Sequence, residues 1–209
     1  MIGSLVVWIW IIVSALSLAR WQMLDQSKCV LNVGQSPSIR GLRLGMPADE
    51  LFAFFPEERF NRNALISQDY PNFGVGRLDF SVSSLPSQQT RDRFDGIELI
   101  KIVLFDGRLA ELNVYYTGAN SGPKKGPNWR GVDEFVTILS EALRLPPAKD
   151  WVARDQLSKT LRCTGFVLTA SVDNGGSGSI ALRIATAYED TVRQRTLADQ
   201  ERRRREFKP

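Results

Sequence analysis

The clearest alternation of apolar and polar residues lies in residues 96–118, GIELIKIVLFDGRLAELNVYYTG. A period of two predicts strands, and the Asp-Gly step between the two runs predicts a β-hairpin. A two-residue loop would mix apolar and charged side chains on both faces. A three-residue loop, Phe105-Asp106-Gly107 with Gly107 in the left-handed conformation, gathers one apolar face, so we predict this register. That face comprises Ile100, Ile102, Leu104, Ala110, Leu112, Val114 and Tyr116.

The opposite face of the same hairpin is mixed in this register. Lys101 lies opposite Glu111 as a cross-strand pair of opposite charge, which stabilises a sheet. An aromatic side chain beside charged ones is typical of an anchor in a protein interface. We therefore predict a protein-binding face made of Lys101, Glu111, Asn113 and Tyr115.

Two further segments have the spacing of amphipathic helices. The first starts at Pro47, which suits the first helical position, buries Leu51, Phe54 and Phe55, and ends at Pro56. The second occupies residues 132–146 and carries apolar residues at helical spacing. These residues are Val132, Phe135, Val136, Leu139 and Leu143, and Trp129 and Trp151 on either side are expected to pack helix against sheet.

The remaining segments alternate as strands or are polar. Strands are predicted at residues 76–84, 160–172 and 179–185, whereas residues 83–93 are predicted to form a loop. The turn between the last two strands, which begins at Asp173, lacks the later ligands of a calcium loop.

The order of helix, strands, helix and strands predicts an α+β fold, in which two helix-plus-antiparallel-strand units form one layered sheet-and-helix body. The first unit covers residues 29–117 and the second residues 131–186. The Gly, Pro and Lys of residues 118–130 predict a flexible connection. Residues 187–209 are polar almost all round and predict a charged, solvent-exposed C-terminal helix with Asp199–Arg203 and Glu201–Arg205 pairs.

The N-terminal region contains an uncharged apolar run at residues 5–19, LVVWIWIIVSALSLA. This run is shorter than the roughly 20 residues that span a bilayer, and it suits the apolar core of a signal peptide. Residues 1–19 are therefore predicted to be either a signal peptide that is removed on export, or an uncleaved N-terminal membrane tether formed by residues 5–23.

Two cysteines, Cys29 and Cys163, occur in the whole chain. An even pair in an exported protein favours one disulfide, and two unpaired thiols are the alternative. A loop of this length would stabilise the fold by about 4 to 5 kcal/mol.

Composition argues against most catalytic classes. The chain has no histidine, which removes the commonest general base and the commonest metal ligand. It also lacks a nucleophile elbow, a phosphate-binding loop and a Cys-x-x-Cys motif. Its possible acid-base residues are scattered, namely Asp79, Asp92, Asp95, Glu98 and Glu111. We predict no catalytic residue, no metal and no cofactor, and hence no enzyme.

The formal charge of +4 does not predict nucleic-acid binding. Much of the excess lies in the run Arg202 to Arg205, which is interleaved with acidic residues and resembles a solvated helix end.

Residues 39–56, IRGLRLGMPADELFAFFP, carry a resemblance to known proteins. Gly45, Met46, Glu50 and Leu51 match the step that opens a short helix in the fold of the beta-lactamase-inhibitor protein and the SmpA/OmlA outer-membrane assembly lipoproteins. Pro47 replaces their capping Thr or Ser, and the lipobox of the lipoproteins is absent.

The segments FDGRL, DEFVTILSEALRLP and LRCTGFVLTA also resemble a group of uncharacterised exported bacterial proteins, so the resemblance covers residues 39–185. It implies an envelope location and non-catalytic binding of another protein. The sequence thus predicts an exported protein-binding module, periplasmic or secreted, with an envelope or secreted protein as its partner. A membrane-anchored structural or assembly protein of the envelope is the alternative.

Overall fold

The computed structural model describes residues 29–56, 74–118, 126–185 and 188–207. These residues form four α-helices and one antiparallel sheet of seven strands, which confirms the predicted α+β class. The helices are α1 (Ala48–Phe54), α2 (Gln88–Arg93), α3 (Val132–Leu143) and α4 (Tyr188–Glu206). The strands are β1 (Val75–Ser81), β2 (Ile97–Phe105), β3 (Arg108–Tyr116), β4 (Val152–Ala153), β5 (Ser158–Arg162), β6 (Phe166–Val172) and β7 (Gly178–Ile184).

Both predicted units contribute to this one sheet, whose strand order is β1-β2-β3-β7-β6-β5-β4. The pairing of β3 with β7 joins the first unit to the second. Residues 119–125 lie outside the described residues, so the flexibility of the connection stays a prediction. Helices α1 and α3 contact the same face of the sheet, which carries the hydrophobic core.

The predicted hairpin exists, but its register differs from the prediction. The turn contains two residues, Asp106 and Gly107, both with positive φ, and Phe105 pairs with Arg108. A bulge in β3 at Ala110 then inserts one residue, so that Lys101 lies opposite Asn113 and not opposite Glu111. A two-residue turn alone would put the apolar side chains of β2 and β3 on opposite faces of the sheet. The extra residue reverses the alternation in the rest of β3, so the apolar side chains of both strands lie on the predicted face.

The first helix begins after Pro47, which lies at its N-cap and not at the first helical position. The side chains that it buries are Ala48, Leu51 and Phe52, followed by Phe55. Phe54, which was predicted on the buried side, is half-buried and packs against the core, whereas the burial of Phe52 was not predicted.

Two segments contain more structure than the sequence predicted. Residues 83–93 include α2, whose N-cap is Ser87; the Ser87 hydroxyl accepts a hydrogen bond from the Thr90 N–H. The predicted strand of residues 160–172 is a hairpin of β5 and β6, and its turn contains Gly165. A side chain at Gly165 would lie 2.2 Å from the Val33 nitrogen, so glycine lets the N-terminal segment pass over this turn.

Helix α3 has the predicted buried face, in which Leu143 is only partly buried. The two tryptophans beside it pack as expected. The Trp129 ring centroid lies 5.1 Å from that of Phe135, and Trp151 is buried with its indole N–H donating to the Pro146 carbonyl.

The two cysteines form a disulfide, with their Cα atoms 4.5 Å apart, and the alternative of two free thiols is excluded. Backbone hydrogen bonds extend this contact, because the Thr164 and Gly165 N–H groups donate to the carbonyls of Cys29 and Leu31. The chain after residue 28 is therefore held at one end of β5 and β6.

The predicted signal peptide (residues 1–19) and the alternative membrane tether (residues 5–23) both lie outside the described residues. Within the described ranges, the structure contains no helix that is both long and apolar enough to cross a membrane.

Candidate protein-binding face

The face of the sheet opposite the core, which we call the open face, carries small hydroxyl side chains and several charged ones. The strand registers arrange them in three rows across β1, β2, β3, β7, β6 and β5. The first row contains Ser81, Leu99, Tyr115, Ser179, Ser171 and Ser158; the second Asp79, Lys101, Asn113, Ala181, Thr169 and Thr160; the third Arg77, Val103, Glu111, Arg183, Val167 and Arg162. All four residues predicted to bind a partner lie in these rows.

A concavity of about 880 Å³, which we call the Tyr115 groove, lies over the first row. Its floor consists of open-face side chains, and its walls are the loop between β4 and β5 and the turn between β6 and β7. The floor residues include Leu99, Tyr115, Ser158, Thr169, Ser171 and Ser179. Tyr115 is 39% exposed, so part of its ring is accessible from the groove.

A second β-bulge shapes one edge of the Tyr115 groove. In β2, Ile97 pairs with Tyr116 and Leu99 pairs with Tyr115, so Glu98 is the extra residue. A bulge redirects the side chains around it, and here the exposed Glu98 lines the groove beside Leu99.

The opposite walls carry two carboxylates that their own loops hold in place. Asp155 accepts a hydrogen bond from the Leu157 N–H, and Asp173 accepts from the N–H groups of Gly175 and Ser177, each at 2.8 Å. Hydrogen bonds from Ser158 and Leu157 keep the pKa of Asp155 below its ordinary value, so this carboxylate is charged at neutral pH. Asp173 thus acts as the turn residue that the sequence predicted.

Lys101 and Tyr115 are neighbours on the open face. The Lys101 ammonium lies 5.9 Å from the centroid of the Tyr115 ring and 3.9 Å from an Asp79 carboxylate oxygen.

The adjacent Tyr116 faces the core, and its burial raises its pKa to about 12. Tyr116 is therefore neutral near pH 7 and is no candidate for a general base.

Glu111 and Asn113 take part in contacts within the chain. The Asn113 amide donates to one Glu111 carboxylate oxygen at 2.9 Å, and the Tyr188 hydroxyl donates to the other at 3.1 Å. Tyr188 opens α4, and its ring centroid lies 5.6 Å from that of Phe105. Glu111 thus helps to hold the C-terminal helix on the third row.

A second contact, at the tip of the hairpin, completes the docking of α4. The Arg195 guanidinium donates from both Nη atoms to the Asp106 carboxylate, at 2.7 and 2.9 Å, and lies 5.1 Å from the Phe105 ring centroid. These hydrogen bonds, helped by the charge of Arg195 and opposed by slight burial, hold the pKa of Asp106 below its ordinary value of 3.8.

Helix α4 is therefore docked by its N-terminal half. The sequence had predicted a helix that is exposed to solvent along its whole length. Its C-terminal half has the predicted pairs, Asp199 with Arg203 and Glu201 with Arg205. Leu197, near the middle of the helix, is 55% exposed.

We expect Asp106→Asn to release α4 from the hairpin tip, because the substitution removes the charge that Arg195 binds while Asn tolerates the positive φ of this position. Trypsin should then cut after Arg193 and Arg195, in the released half of the helix, several-fold faster, while the free energy of unfolding of the body changes by less than about 1 kcal/mol. Low pH should also release α4 from the hairpin tip. Since the pKa of Asp106 is lowered in the folded state, the stabilisation that this carboxylate gives to the docked helix is complete above 3.8 and is lost as the pH falls through the lowered value.

The matched control is Glu201→Gln, which removes an ion pair inside α4 and leaves the docking contacts intact. Equal cleavage rates for the Asp106 and Glu201 variants would show that Asp106 does not hold the helix.

The described residues contain no group of three or more metal-ligating side chains. The scattered acidic residues considered as acid-base candidates occupy different places. Glu98 is on the groove, Asp79 and Glu111 are on the open face, Asp92 is in α2, and Asp95 follows that helix.

Several groove residues were missed by the sequence reasoning, among them Asp155, Ser158, Ser171 and Ser179. Strand alternation alone could have placed the serines of β6 and β7 on the polar face. Their position beside Tyr115 depends on the pairing of β3 with β7, and no pattern within either strand specifies that pairing.

Neither protein-family models, nor the curated proteins, nor the solved structures yielded a match to this chain. The resemblance to the beta-lactamase-inhibitor protein and the SmpA/OmlA lipoproteins therefore stays a prediction.

Proposed function

We propose that this chain is an exported, non-enzymatic module that binds a loop of another protein on its open face, with Tyr115 as the central anchor. The observation that carries the proposal is the Tyr115 groove, in which a half-exposed aromatic side chain stands among small hydroxyl side chains. Aromatic residues in a concavity are the commonest anchors of protein interfaces.

The size of the open face favours a protein over a small molecule. Six strands about 4.8 Å apart and the two rows that lie clear of α4 give a surface of roughly 30 by 14 Å, or about 400 Å². The walls of the Tyr115 groove add to this area, which compares with the roughly 800 Å² that each partner buries in a standard interface. The groove supplies a recess for a protruding loop, and the polar rows around it supply a hydrogen-bonding rim.

The structure changes the roles that we assign to the four predicted residues. Tyr115 and Lys101 remain the proposed contacts with the partner, since they are neighbours beside the groove. Asn113 holds Glu111, and Glu111 holds α4, so we propose that this pair fixes the C-terminal helix beside the binding surface.

The disulfide supports an exported location, because such bonds form and persist in oxidising compartments. We propose the bacterial envelope or the extracellular space as that compartment. N-terminal sequencing of the protein isolated from cells distinguishes removal of the signal peptide from a retained tether.

Site-specific photo-crosslinking tests the binding face. We expect p-benzoyl-phenylalanine at position 115 to give a discrete covalent adduct with one protein in cells that produce the chain. The same group at Ile138, which is 46% exposed on the outer surface of α3, is the control and should give none. Adducts with the same proteins at both positions, or an adduct only at Ile138, would place the binding surface elsewhere.

A further inference from the structure

The lining of the Tyr115 groove has a charge opposite to that of the chain as a whole. The chain carries a formal charge of +4. Among the described lining residues, three carboxylates, Glu98, Asp155 and Asp173, face a single guanidinium, Arg154. The Lys101 ammonium, 5.9 Å from the Tyr115 ring centroid at the edge of the groove, is balanced by Asp79 at 3.9 Å. A groove that concentrates negative charge in a basic protein favours a positively charged group in its occupant.

Two of these carboxylates are already fixed before any partner arrives. Asp155 and Asp173 accept backbone hydrogen bonds from their own loops, so little conformational entropy is lost when they bind a cation. The hydrogen bonds that lower the pKa of Asp155 also keep it charged at neutral pH. Glu98 lies across the groove from both, at the bulge in β2.

The floor of the groove suits a guanidinium better than an ammonium. The planar guanidinium stacks on aromatic rings and donates several hydrogen bonds in a fixed geometry. The groove offers the Tyr115 ring together with the hydroxyls of Ser171 and Ser179. An aliphatic stem is also accommodated, because Leu99 and Leu157 line the same groove.

From these observations we infer that the partner loop inserts a basic side chain, an arginine in preference to a lysine, into the Tyr115 groove between Glu98 and the Asp155 and Asp173 turns. This inference rests on the proposed function, and it adds the chemistry of the partner. An acidic loop would meet three carboxylates and is disfavoured by the same charges.

The test is a selection of short randomised loops, displayed on a carrier protein, for binding to the full chain. Loops are sorted by whether Tyr115→Ala abolishes their binding. Tyr115-dependent loops should contain arginine, and less often lysine, at a frequency several-fold above that of the unselected library. Their affinity should fall about tenfold when three exposed charge pairs are removed in the combined variant Glu98→Gln, Asp155→Asn and Asp173→Asn.

The substitutions preserve the structure of the groove, because asparagine retains the oxygen that accepts the backbone hydrogen bonds. Three exposed carboxylates away from the open face, neutralised together as Glu50→Gln, Glu141→Gln and Glu201→Gln, form the matched control and should leave the affinity unchanged. If the combined groove variant does not fold, Glu98→Lys at the exposed bulge should weaken the same loops more than Glu141→Lys.

The outcomes separate the two proposals. Tyr115-dependent loops that lack basic residues and tolerate the groove substitutions overturn the inference and leave the proposed function intact. A selection that yields no Tyr115-dependent loop contradicts both.

Discussion

Reduction of the disulfide between Cys29 and Cys163 is expected to lower the free energy of unfolding of the chain by about 3 to 5 kcal/mol. The bond closes a loop across a sequence separation of 134 residues, so reduction greatly increases the conformational freedom of the unfolded chain. It also releases the N-terminal segment, in which Leu31 and Val33 pack against the core.

Denaturant unfolding with and without a reductant measures this effect. The combined variant Cys29→Ala and Cys163→Ala should match the reduced protein and should not respond to the reductant. A difference of less than about 1 kcal/mol between oxidised and reduced protein would contradict the expected role of the bond.

Phe55→Ala is expected to destabilise the fold by about 3 to 5 kcal/mol. The Phe55 side chain is fully buried and stacks between two other rings, with centroids 4.2 Å from Phe80 and 5.2 Å from Phe94. Its removal would leave a cavity between the end of α1 and strand β1, which the neighbouring rings cannot fill without leaving their stacked positions.

Phe54→Ala is the matched control, since it removes the same side chain from the preceding position. Phe54 is half-buried and carries the Arg93 guanidinium 4.8 Å above its ring, so its loss should cost only about 1 kcal/mol. Equal costs for the two substitutions in denaturant unfolding would mean that Phe55 is not the core residue of this helix end.

The hairpin of β2 and β3 shows how far the sequence predicts the fold. Alternation correctly indicated the two strands and the apolar face with Ile100, Ile102, Leu112 and Val114. It led to the wrong loop, because a β-bulge at Ala110 shifts the register by one residue. A three-residue turn and a two-residue turn with a bulge give the same alternation beyond the turn.

Local pattern also failed where an element is short. Helix α2 has six residues in a polar segment, and its start depends on a hydrogen bond between Ser87 and Thr90. Residues 160–172 look like one strand because the turn at Gly165 interrupts the apolar pattern only briefly. Whether such a segment turns depends on the disulfide and the N-terminal segment beside it, which are distant in sequence.

The candidate site was predicted in part for the same reason. Tyr115 and Lys101 could be assigned to a non-core face from β2 and β3 alone. The groove around them requires β6, β7 and the loop at Asp155, which come together only through the pairing of β3 with β7. Likewise, no pattern in the sequence indicated that α4 would reach back to Asp106 and Glu111.

The central claim is that Tyr115 is the anchor of a protein-binding surface, and the affinity of the protein crosslinked at position 115 tests it most directly. We expect this protein to bind the chain with Tyr115→Ala about 30-fold more weakly than the unmodified chain, as for a typical interface anchor. Lys101→Ala, which removes the side chain without reversing its charge, should weaken binding to a smaller extent, and Ile138→Ala should leave it unchanged. Unaltered affinity for the Tyr115 variant, or an equal loss for the Ile138 variant, would contradict the account.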